Sequence, residues 1–165
     1  MKCKLLATTM LAATILIGCT TPNNNNTTLI RAGLGNKCGY IDETGHWVIN
    51  PQFDDADNFT ENGLARVELN GKWGYIDKTG KWVINTQYDR AGDFENGLAP
   101  TRLNGQWGYI DKTGKWVINP QYDNVVIFEN TIFFKQKGKW GIIDEKGNIV
   151  VKPQFAWVVD KNKYF

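Results

Sequence analysis

The chain has no serine and a single histidine, His46. A serine-based triad is therefore excluded, and one histidine without cysteine or histidine at ligand spacing makes no metal site. Threonine and cysteine nucleophiles stay open in principle, but nothing places a base beside one. Cysteine is scarce as well: Cys3 and Cys19 fall in an N-terminal segment, which leaves Cys38 for the folded part. A lone thiol there is expected to be a small buried apolar residue without an internal disulfide partner. Net charge is nearly missing. The 19 basic residues become 17 once Lys2 and Lys4 of that segment are set aside, equal to the 17 acidic ones. A neutral domain has no electrostatic footprint for nucleic acid or for an anionic membrane surface. Helical periodicity is absent over any useful length. Leu5 to Ile17 is apolar but for three threonines, and is shorter than the about 20 residues a spanning helix needs.

What is present is self-similarity. Lys72-Trp73-Gly74-Tyr75-Ile76-Asp77, Lys78-Thr79-Gly80 and Lys81-Trp82-Val83-Ile84-Asn85 return almost unchanged between Gln106 and Asn119. Weaker copies begin at Lys37-Cys38-Gly39-Tyr40 and Lys139-Trp140-Gly141-Ile142. The turn glycines Gly45, Gly80, Gly114 and Gly147 are separated by 35, 34 and 33 residues. A near-constant period of this size marks a repeat architecture in which one unit cannot bury its own face and stacking supplies the core. With 42% hydrophobic and 13% aromatic residues, the chain has the means to build that core.

Within a unit the pattern is that of strands. Aromatic and β-branched residues fill two short runs, and Asp77-Lys78-Thr79-Gly80 lies between them. Asp opens the turn and Gly closes it at positive φ, so Asp42, Asp77, Asp111 and Asp144 are read as turn residues with Gly45, Gly80, Gly114 and Gly147. Gln-Tyr/Phe follows each hairpin, with Asp after it in the first three units and Pro51, Pro120 or Pro153 before it in three. Proline cannot donate to a ladder and is expected to end the strand or sit on an edge. A third run, such as Leu64 to Leu69, leads through Asn70-Gly71 or Asn104-Gly105 into the next copy, a tight hairpin signal. The expectation is all-β: three-stranded antiparallel units at about 29–54, 64–89, 98–123 and 132–155, with a terminal cap at 156–165, stacked in an open, curved array. The alternative is a small closed propeller-like ring.

The N-terminus reads as a targeting signal. Lys2 and Lys4 precede the apolar stretch, which ends in Leu16-Ile17-Gly18-Cys19. This resembles a bacterial lipoprotein signal, which implies cleavage after residue 18 and acylation of Cys19. Several acyl chains would anchor the protein stably. The absence of Asp after that cysteine implies, by the same resemblance, sorting to the outer membrane where there is one, with the domain in the periplasm or at the cell surface. Residues 19–28, rich in Asn and Thr, are expected to form a flexible tether to a domain at 29–165.

Trp-Gly followed by Tyr-Ile-Asp, a turn glycine, Trp-Val-Ile and Pro-Gln-Tyr/Phe resembles the WG-repeat family of bacterial proteins, in four copies over about residues 36–155. The resemblance implies an all-β, extracytoplasmic repeat module without an assigned chemistry. Cys38, Thr86 and Ile149 depart from the pattern.

Candidate sites are few. The recurring Asp residues occur once per unit at one turn position, whereas catalysis needs an asymmetric constellation. Asp54-Asp55-Ala56-Asp57-Asn58 alternates oxygen ligands as a calcium loop does, but lacks the central Gly and distant Glu. No cofactor or metal is expected. Trp73, Trp107 and Trp140, with Tyr75 and Tyr109, are expected in the repeat core. Trp47, Trp82 and Trp116 are the candidate ligand-contact aromatics. The functional expectation is a non-enzymatic, membrane-anchored module for protein–protein interaction in the cell envelope. The alternative is a glycan- or peptidoglycan-binding module.

Overall fold

The computed structural model describes residues 28–128, 130–160 and 163–164. The leader, Cys19 and the tether before Thr28 lie outside the described residues. No helix occurs among those described.

The strands form successive antiparallel meanders. The first sheet is β1 (Ile30–Leu34), β2 (Lys37–Ile41) and β3 (Trp47–Phe53). The second is β4 (Asp55–Ala56), β5 (Leu64–Leu69), β6 (Lys72–Asp77) and β7 (Trp82–Tyr88). The third repeats this as β8 (Arg90–Ala91), β9 (Leu98–Leu103), β10 (Gln106–Asp111) and β11 (Trp116–Tyr122). The fourth is β12 (Asn124–Phe128), β13 (Thr131–Gln136), β14 (Lys139–Ile143) and β15 (Ile149–Phe155). A short pair, β16 (Val159–Asp160) and β17 (Lys163–Tyr164), follows. No sheet closes into a barrel; the four form an open stack in chain order. From the second sheet on, each unit holds four strands rather than three, because the residues after the Asp corner add a strand to the next sheet.

Two turn types set the register. Asn70-Gly71, Asn104-Gly105 and Lys137-Gly138 place both central residues at positive φ, the twist-matched two-residue hairpin that favours Asn-Gly. At the longer turn, Asp77 Oδ1 accepts from the Thr79 amide at 2.9 Å, the Thr79 hydroxyl at 2.6 Å and the Lys81 amide at 3.1 Å. Gly80 closes that turn by donating to the Asp77 carbonyl at 2.9 Å. Asp42, Asp111 and Asp144 build the same turn.

The motif glycine has a separate cause. Trp73 pairs with Tyr88 and Tyr75 with Ile84, so Asn85, Thr86 and Gln87 oppose Gly74 alone. This bulge presses the partner strand's backbone onto the glycine, and a Cβ on Gly39, Gly74, Gly108 or Gly141 would lie 2.3–2.6 Å from a carbonyl oxygen. The same bulge houses proline. Pro51 and Pro120 lie inside seven-residue strands instead of ending them. The stretches before and after the proline are one strand, on the sheet edge, where no ladder donor is demanded at the bulge.

Inner sheets are buried on both faces. Ile76 packs back into a cluster with Tyr40, Ile49, Phe53 and Val67, whereas its neighbour Tyr75 packs forward with Ile84, Tyr88, Phe94 and Ala99. Alternation along one strand thus serves two cores. Polar contacts repeat at the junctions. The Tyr40 hydroxyl donates to the Asp57 carbonyl at 2.6 Å, and the Tyr75 hydroxyl to that of Gly92 at 2.8 Å. The corner residues Asp54 and Asp89 each hold a lysine, Lys37 and Lys72, at 2.6 Å. The turn glycines Gly80, Gly114 and Gly147 sit over the side chains of Ile49, Ile84 and Ile118 of the preceding unit.

Cys38 is fully buried and disulfide-bonded. This corrects the expectation of a lone thiol. That expectation assigned Cys3 to a cleaved leader and Cys19 to lipid; both lie outside the described residues.

Candidate functional site

Two surfaces stand out. The first is a ridge. On each edge strand the isoleucine or valine two places after the turn-side residue faces inward, so the valine before it faces out. Val48, Val83, Val117 and Val150 are 46%, 42%, 38% and 64% exposed. One solvent-facing valine per sheet makes an apolar line along the stack. Repeated exposed apolar groups in register mark an interaction surface more than scattered ones do. Sequence reasoning passed over these valines because it followed the tryptophans; the in–out alternation of Trp-Val-Ile was the available signal.

The tryptophans of the same strands are placed differently. Trp82 stands edge-on to Phe53 of the preceding sheet at 5.8 Å between centroids, and Trp116 to Tyr88 at 5.6 Å. Both are half-buried. Trp47 has no preceding sheet among the described residues and is exposed, and Ile149 takes the equivalent place in the fourth sheet. The three candidate ligand-contact aromatics therefore do not form one continuous open ladder.

The second surface is a groove of about 390 Å³ that crosses the second, third and fourth sheets. It is lined by Trp73 and Trp107, both half-buried, with Asp55, Asp57, Arg66 and Arg90 among its polar groups. Trp140, the third member of that series, is fully buried, as are Tyr75 and Tyr109. The Arg66 guanidinium lies over the Trp73 ring at 5.8 Å and hydrogen-bonds the Ala91 carbonyl. Its Nε sits 2.7 Å from Asp57 Oδ2, a contact whose direction gives an ion pair rather than a hydrogen bond.

Ionisation is perturbed in two ways. Burial, the largest influence, pushes the Tyr40, Tyr75 and Tyr109 phenols well above their ordinary range, so these hydroxyls stay neutral. The turn carboxylates go the other way. The Thr44 and Thr113 hydroxyls lower Asp42 and Asp111, and the Asn148 side chain lowers Asp144. At Asp77 desolvation pushes upward, but the bonds from Thr79 and Lys81 together outweigh it. These shifts follow from turn bonding and do not poise a group for proton transfer. His46 is engaged in its turn, 2.7 Å from the Thr44 hydroxyl. Among the described residues, no group of three or more His, Cys, Asp and Glu is arranged to hold a metal.

A stack of near-identical antiparallel meanders, three of the four carrying Trp-Gly on an inner strand and the first Cys-Gly, each with a bulged edge strand, defines an all-β repeat protein. The family described as WG containing repeat matches residues 39–73, 73–107, 107–140 and 140–160, and the chain belongs to it. No curated protein matches the chain.

Proposed function

We propose that this chain is a non-enzymatic interaction module, tethered through acylated Cys19 to a bacterial envelope membrane, whose repeats hold a protein partner. The observation that supports the partner is the row of exposed valines Val48, Val83, Val117 and Val150. A line of exposed valines offers a partner non-directional burial, and its repetition gives weak contacts in register. With a photo-crosslinking residue at position 83, a discrete protein adduct is expected in intact cells, and Val117→Asp should abolish it. Absence of any adduct, or an adduct indifferent to Val117→Asp, removes the partner.

The tether is supported by the Lys2/Lys4, apolar and Leu16-Ile17-Gly18-Cys19 pattern. Detergent-phase partition with intact mass tests this: acylated protein in the detergent phase is expected, and Cys19→Ala should move to the aqueous phase. Water-soluble, unacylated wild-type protein would overturn the anchor.

A further inference from the structure

We infer that the groove lined by Trp73 and Trp107 binds a linear, uncharged oligosaccharide, at a site separate from the valine ridge and independent of the reading above. The groove lies where the repeat breaks its own rule. At the first two junctions an arginine fills the space between sheets: Arg31 donates to the Ala56 carbonyl and Arg66 to that of Ala91. At the third junction Pro100 occupies that position, packed against Gly92, and brings no guanidinium across to the next sheet. The buried Tyr109 hydroxyl is also without a hydrogen-bond partner, whereas its counterparts Tyr40 and Tyr75 are bonded. The regular polar packing is incomplete at this junction.

The lining specifies the ligand class. Trp73 and Trp107 are the same position in successive units, as are Asp55 and Arg90. Packed sheets lie about 10 Å apart, so the groove offers its aromatic contact at a regular step, which suits a chain with a disaccharide-like repeat. An indole ring matches the C–H face of a pyranose through apolar contact; Trp107 supplies that contact, while Trp73 carries the Arg66 guanidinium over its ring. Asp55 and Asp57 balance Arg66 and Arg90, which leaves no net charge to recruit a phosphate or an anionic polymer. Carboxylates accept and guanidinium groups donate, and a hydroxyl satisfies either. A proline-rich peptide also fits aromatic grooves, but its prolines lack N–H, so it offers Asp55 and Asp57 fewer donors than the hydroxyls of a sugar do. The volume falls in the range of about 300–1,000 Å³ typical of small-molecule clefts.

The test is intrinsic tryptophan fluorescence of the full-length chain titrated with cellotetraose and with chitotetraose. Saturable binding of at least one, insensitive to added salt, is expected. Pro100→Arg restores the residue type that the stack accommodates at position 66 and should weaken binding about tenfold or more. Arg90→Ala, at an exposed position, should weaken it without disturbing the fold. Trp47→Ala, outside the groove, should bind as wild type. Binding of neither sugar, binding unchanged in both groove variants, or a proline-rich peptide binding in their place would overturn the site. Loss of the valine-dependent adduct would not affect it.

Discussion

A Cβ atom on Gly74 would lie 2.6 Å from the carbonyl oxygen of Ile84 on the adjacent strand. The obstacle is backbone on both sides, so no side chain can swing away. Gly74→Ala must therefore flatten the bulge at residues 85–87 or push β7 outward. Overpacking of this kind costs about 1–3 kcal/mol. A fall in the urea midpoint of that size is expected. An unchanged midpoint would mean that the edge strand gives way freely and that the motif glycine is not sterically required.

The two faces of the tryptophan series should separate in stability. Trp82→Ala removes a half-buried ring edge-on to Phe53, including an aromatic pair worth about 0.5–1.5 kcal/mol beyond its buried area. Trp47→Ala removes an exposed ring at the open end of the stack, where changes usually stay within about 0.5 kcal/mol. Thermal melts of the two variants should differ clearly, with Trp82→Ala the lower. Equal melting points would contradict the placement of Trp82 between sheets.

Acid should loosen the hairpin turns. Asp42, Asp77, Asp111 and Asp144 all titrate below the ordinary carboxylate range when folded. A depressed folded pKa means that the unfolded chain takes up protons first, so stability rises with pH through that range. The contribution is complete above the unfolded value of about 3.9 and is lost as pH falls through the folded values. Urea midpoints should hold steady near neutrality and drop on acidification below about pH 4. Asp77→Asn together with Asp111→Asn should flatten the drop. A double variant with the wild-type acid profile would place the sensitive groups elsewhere.

Much of the fold was written locally. Asn70-Gly71 and Asp77 to Gly80 announced their turns because each uses chemistry contained within four residues. The corner was harder. Pro51 and Pro120 were expected to end a strand or sit on an edge; they sit on edge strands, which continue past them because the bulge asks for no donor there. That bulge exists only when Gly74 or Gly108 faces it from another strand, a relation no single stretch contains. The two-residue strand Arg90–Ala91 has no periodicity of its own and forms by pairing with Thr101 and Arg102. The groove was illegible for a similar reason: Pro100 stands where Arg66 stands one unit earlier, and the effect of that replacement lies at a junction between sheets that no single stretch contains.

The seating of Gly80, Gly114 and Gly147 on Ile49, Ile84 and Ile118 carries a genetic consequence. Each of the first three units offers its successor the same aliphatic seat, so nothing in that contact encodes how many units there are. An in-frame duplication or deletion of one unit would meet a compatible neighbour on both sides. Array length can then drift through recombination between near-identical coding segments.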